Sequence, residues 1–189
     1  MADAGRVIAG SARGIRLTAP GEGTRPFGDR VKQTLFAILD PVLSGARVLD
    51  LFAGSGAAGI EALSRGAAAA TFVEKDRAAI QAIEENLRRT RLGDTARVVR
   101  ADVLDWLQRE STPVEPWQIV VLDAPYAEPE LMDRAIERLA VPGVLAPGAR
   151  VVAKHFWKRS PAPVVGLLAS DRERRFGETA LTFYRLEES

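Results

Sequence analysis

The chain has 189 residues, 47% of them hydrophobic, a formal net charge of +1 and no cysteine. That length suits one domain able to bury roughly 70% of its unfolded surface. The missing thiols exclude disulfides, a thiolate zinc site and a cysteine nucleophile, and a single histidine gives no basis for a transition-metal site.

No apolar run approaches a membrane span, and the start Met1 to Arg6 lacks the order of a secretory signal, so a cytoplasmic location is expected. Charge is unevenly spread. Residues 1–47 hold seven Lys/Arg against four Asp/Glu, and residues 154–175 hold six against two. Such asymmetry fits a polyanion-binding face on an otherwise acidic protein.

Two short β-prone pieces, Arg6–Ala9 and Ile15–Thr18, are separated by Gly10, Ser11 and Gly14, which predicts a hairpin. Its arginines Arg6, Arg13 and Arg16 are candidates to grip phosphates. A Gly/Pro-rich loop follows, and Val31, Leu35 and Ile38 then predict a helix from Asp29, with Asp29 as N-cap and Asp40-Pro41 as its end.

The next stretch, Arg47 to Gly59, reads as a buried strand, an acidic residue, a glycine-rich turn and a helix start. Helix 58–65, strand 70–74, helix 77–92, strand 96–101, helix 103–109, strand 117–122, helix 129–139 and strand 150–155 follow in alternation. Repeated βαβ units require a mostly parallel, doubly wound α/β sheet covered on both faces. Arg172–Phe176 and Thr179–Leu186, around Gly177-Glu178, predict a terminal antiparallel hairpin.

Gly54 and Gly56 permit a tight turn with close backbone approach to a ligand, and Gly59 lets the following helix lie close to the sheet. The spacing Gly54-x-Gly56-x-x-Gly59, with Glu74 beyond it, also fits a dinucleotide fingerprint. Asp50 bears on the choice: a carboxylate there would repel a pyrophosphate and suit the cationic methionine end of S-adenosylmethionine. The candidate cofactor loop is therefore Asp50, Phe52, Ala53, Gly54, Ser55 and Gly56.

In a doubly wound sheet, ligands bind beyond the carboxyl ends of the strands, and here those ends carry Asp50, Glu74, Asp102 and Asp123. Carboxylates accept from ribose hydroxyls and from an exocyclic amine. Glu74, with Lys75 beside it, is assigned to the ribose, Asp102 to the adenine amine and the Val103 backbone to the ring edge. Each of these acids also precedes a helix and could serve as its N-cap.

Asp123-Ala124-Pro125-Tyr126 resembles the (Asn/Asp)-Pro-Pro-(Tyr/Phe) motif of S-adenosylmethionine-dependent amino-methyltransferases. The amine of a base is delocalised into its ring, so acceptors on its two N–H bonds favour a pyramidal, nucleophilic nitrogen. Asp123 would orient the amine, Pro125 would stiffen the loop and Tyr126 would stack on the base, making these the candidate catalytic residues. Ala124 stands where the motif has its first proline.

Three stretches carry a wider resemblance: Arg6 to Gly10 with Arg13-Gly14, then Arg25-Pro26 through Asp29 to Phe36, then Leu49 to Gly56 continuing to Gly66. Together they resemble the bacterial small-subunit ribosomal RNA guanine-N2 methyltransferases of the RsmD type. The resemblance implies a seven-stranded methyltransferase sheet over residues 29–189, an N-terminal basic hairpin and loop extension over residues 1–28, and S-adenosyl-L-methionine as cofactor. It implies methylation of one guanine amine in 16S ribosomal RNA, within a small ribosomal subunit or its assembly intermediate, by a monomer.

RNA contacts are then expected from Arg6, Arg13, Arg16, Arg25, Arg30 and Lys32, and from the basic-aromatic cluster Lys154, Lys158 and Arg159 with Phe156 and Trp157. His155, at a strand end, is expected to be half exposed. Competing readings are an amino-methyltransferase for adenine or a glutamine amide, a nicotinamide oxidoreductase, and a catalytically degenerate RNA-binding relative.

Overall fold

The computed structural model describes residues 3–21, 27–110 and 113–187. Arg25 lies outside the described residues. Five α-helices and ten strands are found among them. The hairpin is β1 (Asp3–Arg6) with β2 (Arg16–Thr18). Then follow α1 (Asp29–Leu43), β3 (Arg47–Leu51), α2 (Ala57–Ser64), β4 (Ala69–Glu74) and α3 (Arg77–Thr90). The second half holds β5 (Ala96–Arg100), α4 (Val103–Arg109), β6 (Trp117–Leu122), α5 (Pro129–Leu139), β7 (Leu145–Phe156), β8 (Val164–Val165), β9 (Leu168–Phe176) and β10 (Thr179–Leu186).

The main sheet runs β5-β4-β3-β6-β7-β10-β9-β8. Strands β5, β4, β3, β6 and β7 pair in parallel, and β10 enters antiparallel between β7 and β9. The expected seven-stranded, mostly parallel sheet is therefore present, with one addition. Val164 and Val165 pair with Ala169 and Leu168 across a turn at Gly166, making a two-residue eighth strand at the edge.

Strand order reverses between β3 and β6, because the chain winds from β3 through β4 to β5 and then crosses back. The carboxyl ends of β3 and β6 therefore flank the crevice where this architecture places ligands. Strands β3 and β6 are buried along nearly their whole length, as a strand covered on both faces must be. Helices α1, α2, α3 and the N-terminal hairpin cover one face, and α4 and α5 the other.

Helix α1 departs from expectation at both ends. Gly28 holds the N-cap position and Asp29 is the first helical residue, where its carboxylate pairs with Arg6 at 3.0 Å. The helix also continues through Pro41 to Leu43. Proline there gives up one backbone bond near the helix end, and burial of Leu39 and Leu43 carries the extra turn.

The N-terminal hairpin is offset from its predicted strands. Its ladder continues through Val7 N–H to the Ile15 carbonyl and Gly14 N–H to the Val7 carbonyl, but Ile8 and Ala9 turn away. Their N–H groups donate to the two carboxylate oxygens of Glu61 in α2, at 2.8 and 3.0 Å. Glu61 is fully buried and also pairs with Arg65 at 2.7 Å, so its charge is satisfied on three sides.

Candidate active site

The loop after β3 is built by backbone geometry. Phe52, Gly54 and Gly56 have positive φ of 58°, 55° and 75°. A left-handed phenylalanine is strained, so this turn is held by its surroundings rather than by local preference. Ala53 N–H donates to the Val73 carbonyl at 3.2 Å, tying the loop to β4. Gly59 meets the sheet as its spacing predicts: a Cβ there would fall 2.3 Å from the Phe72 ring.

Asp50 sits at the root of this loop, 2% exposed, and its Oδ2 accepts the Gly59 N–H at 2.9 Å. Burial pushes its carboxyl pKa up to about 8, the Gly59 bond pulls the other way, and the neighbouring Asp123 and Glu74 charges add to the rise. The group is thus a buried acid that a nearby cation would help to ionise.

Glu74 is held as firmly. Its Oε2 accepts the Gly54 N–H at 3.0 Å, and its Oε1 accepts the N–H groups of Lys75 and Asp76 at 2.8 and 3.0 Å. The capping duty of α3 falls to Asp76, which accepts from Ala79. Asp102 caps α4 through Oδ1, which accepts from Leu104 and Asp105 at 2.9 and 3.3 Å, while the residue also faces the crevice.

Asp123 follows β6, with its N–H on the Leu51 carbonyl at 3.2 Å, which ties the end of β6 to that of β3. Its Oδ1 meets the Lys154 ammonium at 2.5 Å. Ala124 is buried, Pro125 is exposed, and the Tyr126 hydroxyl shares a hydrogen bond with Thr179 Oγ1 at 3.0 Å. The Tyr126 ring lies 6.3 Å from that of Phe156, tilted by 46°.

All of this opens on one cavity of about 640 Å³, lined by Asp50, Phe52, Ala53, Gly54, Ser55, Glu74, Lys75, Asp102, Val103, Asp123, Pro125 and Tyr126. Of the predicted cofactor residues only Gly56 does not line it, sitting behind the loop as the N-cap of α2. Phe27, Ala124, Leu131, Lys154, Phe156 and Glu178 also line the cavity.

The expected RNA contacts divide. Arg13, Arg30 and Lys158 are exposed. Arg6 and Arg16 are exposed and engage Asp29 and Asp3, and Arg159 engages Glu130 at 3.4 Å. Lys32 is a correction: it is fully buried beneath the hairpin and donates to the Arg6 carbonyl, so it braces structure and does not face RNA. Burial lowers its pKa.

Lys154 differs from the expected surface cluster only in its place: its side chain points into the cavity, away from Lys158. His155 is buried rather than half exposed, with Nε2 at 2.8 Å from Thr182 Oγ1 and Nδ1 at 3.0 Å from the Phe156 carbonyl. The longer reach of β7, with β10 laid along it, encloses both residues.

Sequence reasoning missed Asn86. It is fully buried in α3, accepts from Thr18 N–H at 2.8 Å, and donates to the Thr18 and Ser55 carbonyls at 2.9 Å each. It therefore joins the hairpin to the glycine loop. Its signal was a polar residue on the inward face of α3, in register with Ile83, Leu87 and Thr90.

The family described as conserved hypothetical protein 95 matches residues 5–185. The ribosomal RNA small subunit methyltransferase D of Escherichia coli is 39% identical over 96% of this chain and 90% of its own length. A solved Escherichia coli protein superposes with a TM-score of 0.84 at 37% identity, covering 96% of this chain and 97% of that one. An RNA methyltransferase from Salinibacter ruber, solved with S-adenosyl-L-homocysteine, shares the fold at a TM-score of 0.65 and 17% identity over 87% and 95% of the two chains. The chain accordingly belongs to the conserved hypothetical protein 95 family, the RsmD-type group that its motifs resemble.

Proposed function

We propose that the chain transfers a methyl group from S-adenosyl-L-methionine to the N2 amine of a guanine in 16S ribosomal RNA. The substrate is the small ribosomal subunit or an assembly intermediate, and the enzyme works as a monomer in the cytoplasm. One observation carries this reading: the Asp50–Gly56 loop and the Asp123–Tyr126 motif line a single cavity at the point where strand order reverses. The 39% identity to the Escherichia coli small-subunit enzyme supports ribosomal RNA over other amine-bearing substrates.

The donor set of the cavity fits the cofactor. Glu74, its carboxylate already oriented by three backbone N–H groups, faces the crevice as a ribose acceptor, and Asp102 and Val103 line the side assigned to the adenine. Asp50 matches a cationic amino-acid end, and a pyrophosphate would meet four acids there. That favours S-adenosylmethionine over a nicotinamide dinucleotide. When bound, the cofactor supplies an electrophilic methyl on a sulfonium.

The remaining work belongs to the chain. Asp123 and the Ala124 carbonyl accept the two N–H bonds of the guanine amine, which concentrates the lone pair on nitrogen. Tyr126, anchored on Thr179, offers its ring to the base. With the cofactor's methyl delivered in line to the amine nitrogen, Asp123 would take the surplus amine proton and pass it to solvent. Positioning supplies most of the acceleration.

The test is transfer of labelled methyl to small subunits from cells lacking the endogenous enzyme, with the product nucleoside identified. N2-methylguanosine is expected. N6-methyladenosine or labelled protein would assign another amino-methyltransferase, and cofactor binding without transfer would assign a degenerate RNA-binding relative.

A further inference from the structure

Burying a lysine costs several kcal/mol unless its charge is met. The Lys154 side chain is 7% exposed, and its ammonium reaches Asp123 Oδ1 at 2.5 Å. It also lies 5.2 Å from the centre of the Phe27 ring and 5.3 Å from that of Tyr126. One carboxylate oxygen and two ring faces thus hold the cation in the wall of the cavity. Asp123 Oδ2 receives no hydrogen bond among the described residues.

We propose that Lys154 and Asp123 form one base-selecting edge, in which Lys154 donates to O6 of the target guanine; this rests on the guanine-amine reading above. A flipped base is read through hydrogen bonds to its Watson–Crick edge. Guanine presents there, in order, the O6 acceptor, the N1–H donor and the N2–H donors. The pair presents the complement in the same order: the Lys154 ammonium, then Asp123 Oδ1, then Asp123 Oδ2.

Adenine and cytosine fail this match at the middle position. With the adenine N6 amine on Oδ2, its N1 lone pair would face Oδ1, acceptor against acceptor. Cytosine places N3 there with the same result. A glutamine amide could engage two of the three positions but has no ring for the Phe27 and Tyr126 faces. The lysine therefore gives the Asp-x-Pro-Tyr motif, which by itself accepts any planar amine, a preference for guanine.

The experiment uses the full chain and small subunits reconstituted with a synthetic RNA segment, carrying guanine or 2-aminopurine at the methylated position. The analogue keeps the N2 amine but lacks both O6 and the N1–H, so the Lys154 contribution is read from the difference between wild type and Lys154→Met on each base. Lys154→Met should lower methyl transfer to guanine by roughly 30-fold, as expected for removing a charged hydrogen bond to a base. Lys154→Arg, which keeps a donor, should recover part of that loss, and S-adenosylhomocysteine affinity should stay within about threefold.

On 2-aminopurine the wild-type enzyme should fall by a similar factor or more, and Lys154→Met should then be no worse than wild type. If Lys154→Met instead loses the same factor on both bases, Lys154 acts only by holding Asp123 and the proposal is overturned. Wild-type indifference to the loss of O6 and N1–H together would overturn it as well. A wild-type product other than N2-methylguanosine, including methylated protein, would defeat the underlying functional reading and is told apart by product identity.

Discussion

Asp50 keeps a carboxyl group in a place where ionisation is costly, and the cost has a direction. Its pKa is about 8 in the folded chain against an ordinary 3.8. The folded state thus holds a proton that the unfolded state releases above about pH 4. Stability from this group is complete below that range and is lost as pH rises towards 8. Asp50→Asn keeps an acceptor for the Gly59 N–H and removes the ionisation cost. Denaturant unfolding should find the variant more stable than wild type, by on the order of 2 kcal/mol at pH 8 and by less at pH 5.

The same variant should bind S-adenosylmethionine about 10-fold more weakly by calorimetry, because the carboxylate proposed to meet the cationic end is gone. A variant both less stable and unchanged in affinity would make Asp50 a packing residue. At this scale the sequence was legible where a residue type has few uses. An acid ending an apolar strand before glycines pointed to the crevice, and Asp50, Glu74, Asp102 and Asp123 all line it. Lys154 and Lys32 were not legible, since a lysine beside other basic residues looks like surface and only the fold turns it inward.

The N-terminal hairpin is fastened to the helical layer by residues distant in sequence. Glu61 holds Ile8 and Ala9, Ser64 Oγ accepts the Ala12 N–H and donates to the Ala9 carbonyl, and Asn86 holds Thr18. Gly10 is wedged so closely that a Cβ would sit 1.7 Å from the Ser64 carbonyl oxygen, whereas Gly14 has nothing within 4 Å. Both have positive φ. Gly14→Ala should therefore cost about 1 kcal/mol of backbone strain, and Gly10→Ala roughly 3 kcal/mol or more, measured by denaturant unfolding.

Asn86→Ala leaves the Ser55 and Thr18 carbonyls without their shared donor. It should cost about 2 kcal/mol of stability and weaken cofactor binding, although the residue does not line the cavity. Unchanged cofactor affinity would show that the hairpin and the glycine loop are energetically separate. Periodicity located the helices and central strands closely, since α4, β6 and α5 begin and end where expected. It misplaced the hairpin because Glu61 competes for the backbone groups of β1's extension, and it stopped α1 early because Pro41 outweighed the burial of Leu43.

At the scale of the whole molecule, the exposed positive charges among the described residues include Arg13 on the hairpin, Arg30 at the start of α1 and Lys158 in the turn after β7. Trp157 adds an aromatic face there, with the Arg175 guanidinium 3.4 Å from its ring centre. If these groups neutralise phosphate, replacing Arg13 and Lys158 together with uncharged residues should reduce the slope of log affinity against log salt by roughly 0.7–0.9 for each phosphate released. An unchanged slope would move the RNA path elsewhere. Charge asymmetry was visible in the sequence, but which basic groups are buried depended on long-range packing.

In the proposed mechanism Asp123 addresses the base while the glycine loop addresses the cofactor, and this division of labour is its centre. Single-turnover methyl transfer by Asp123→Ala, with S-adenosylhomocysteine affinity measured on the same preparation, separates the two roles. The predicted result is a fall in rate of about 10³-fold or more with affinity within roughly threefold of wild type. Loss of both in equal measure would make Asp123 a structural residue and would contradict the assignment of this crevice to methyl transfer.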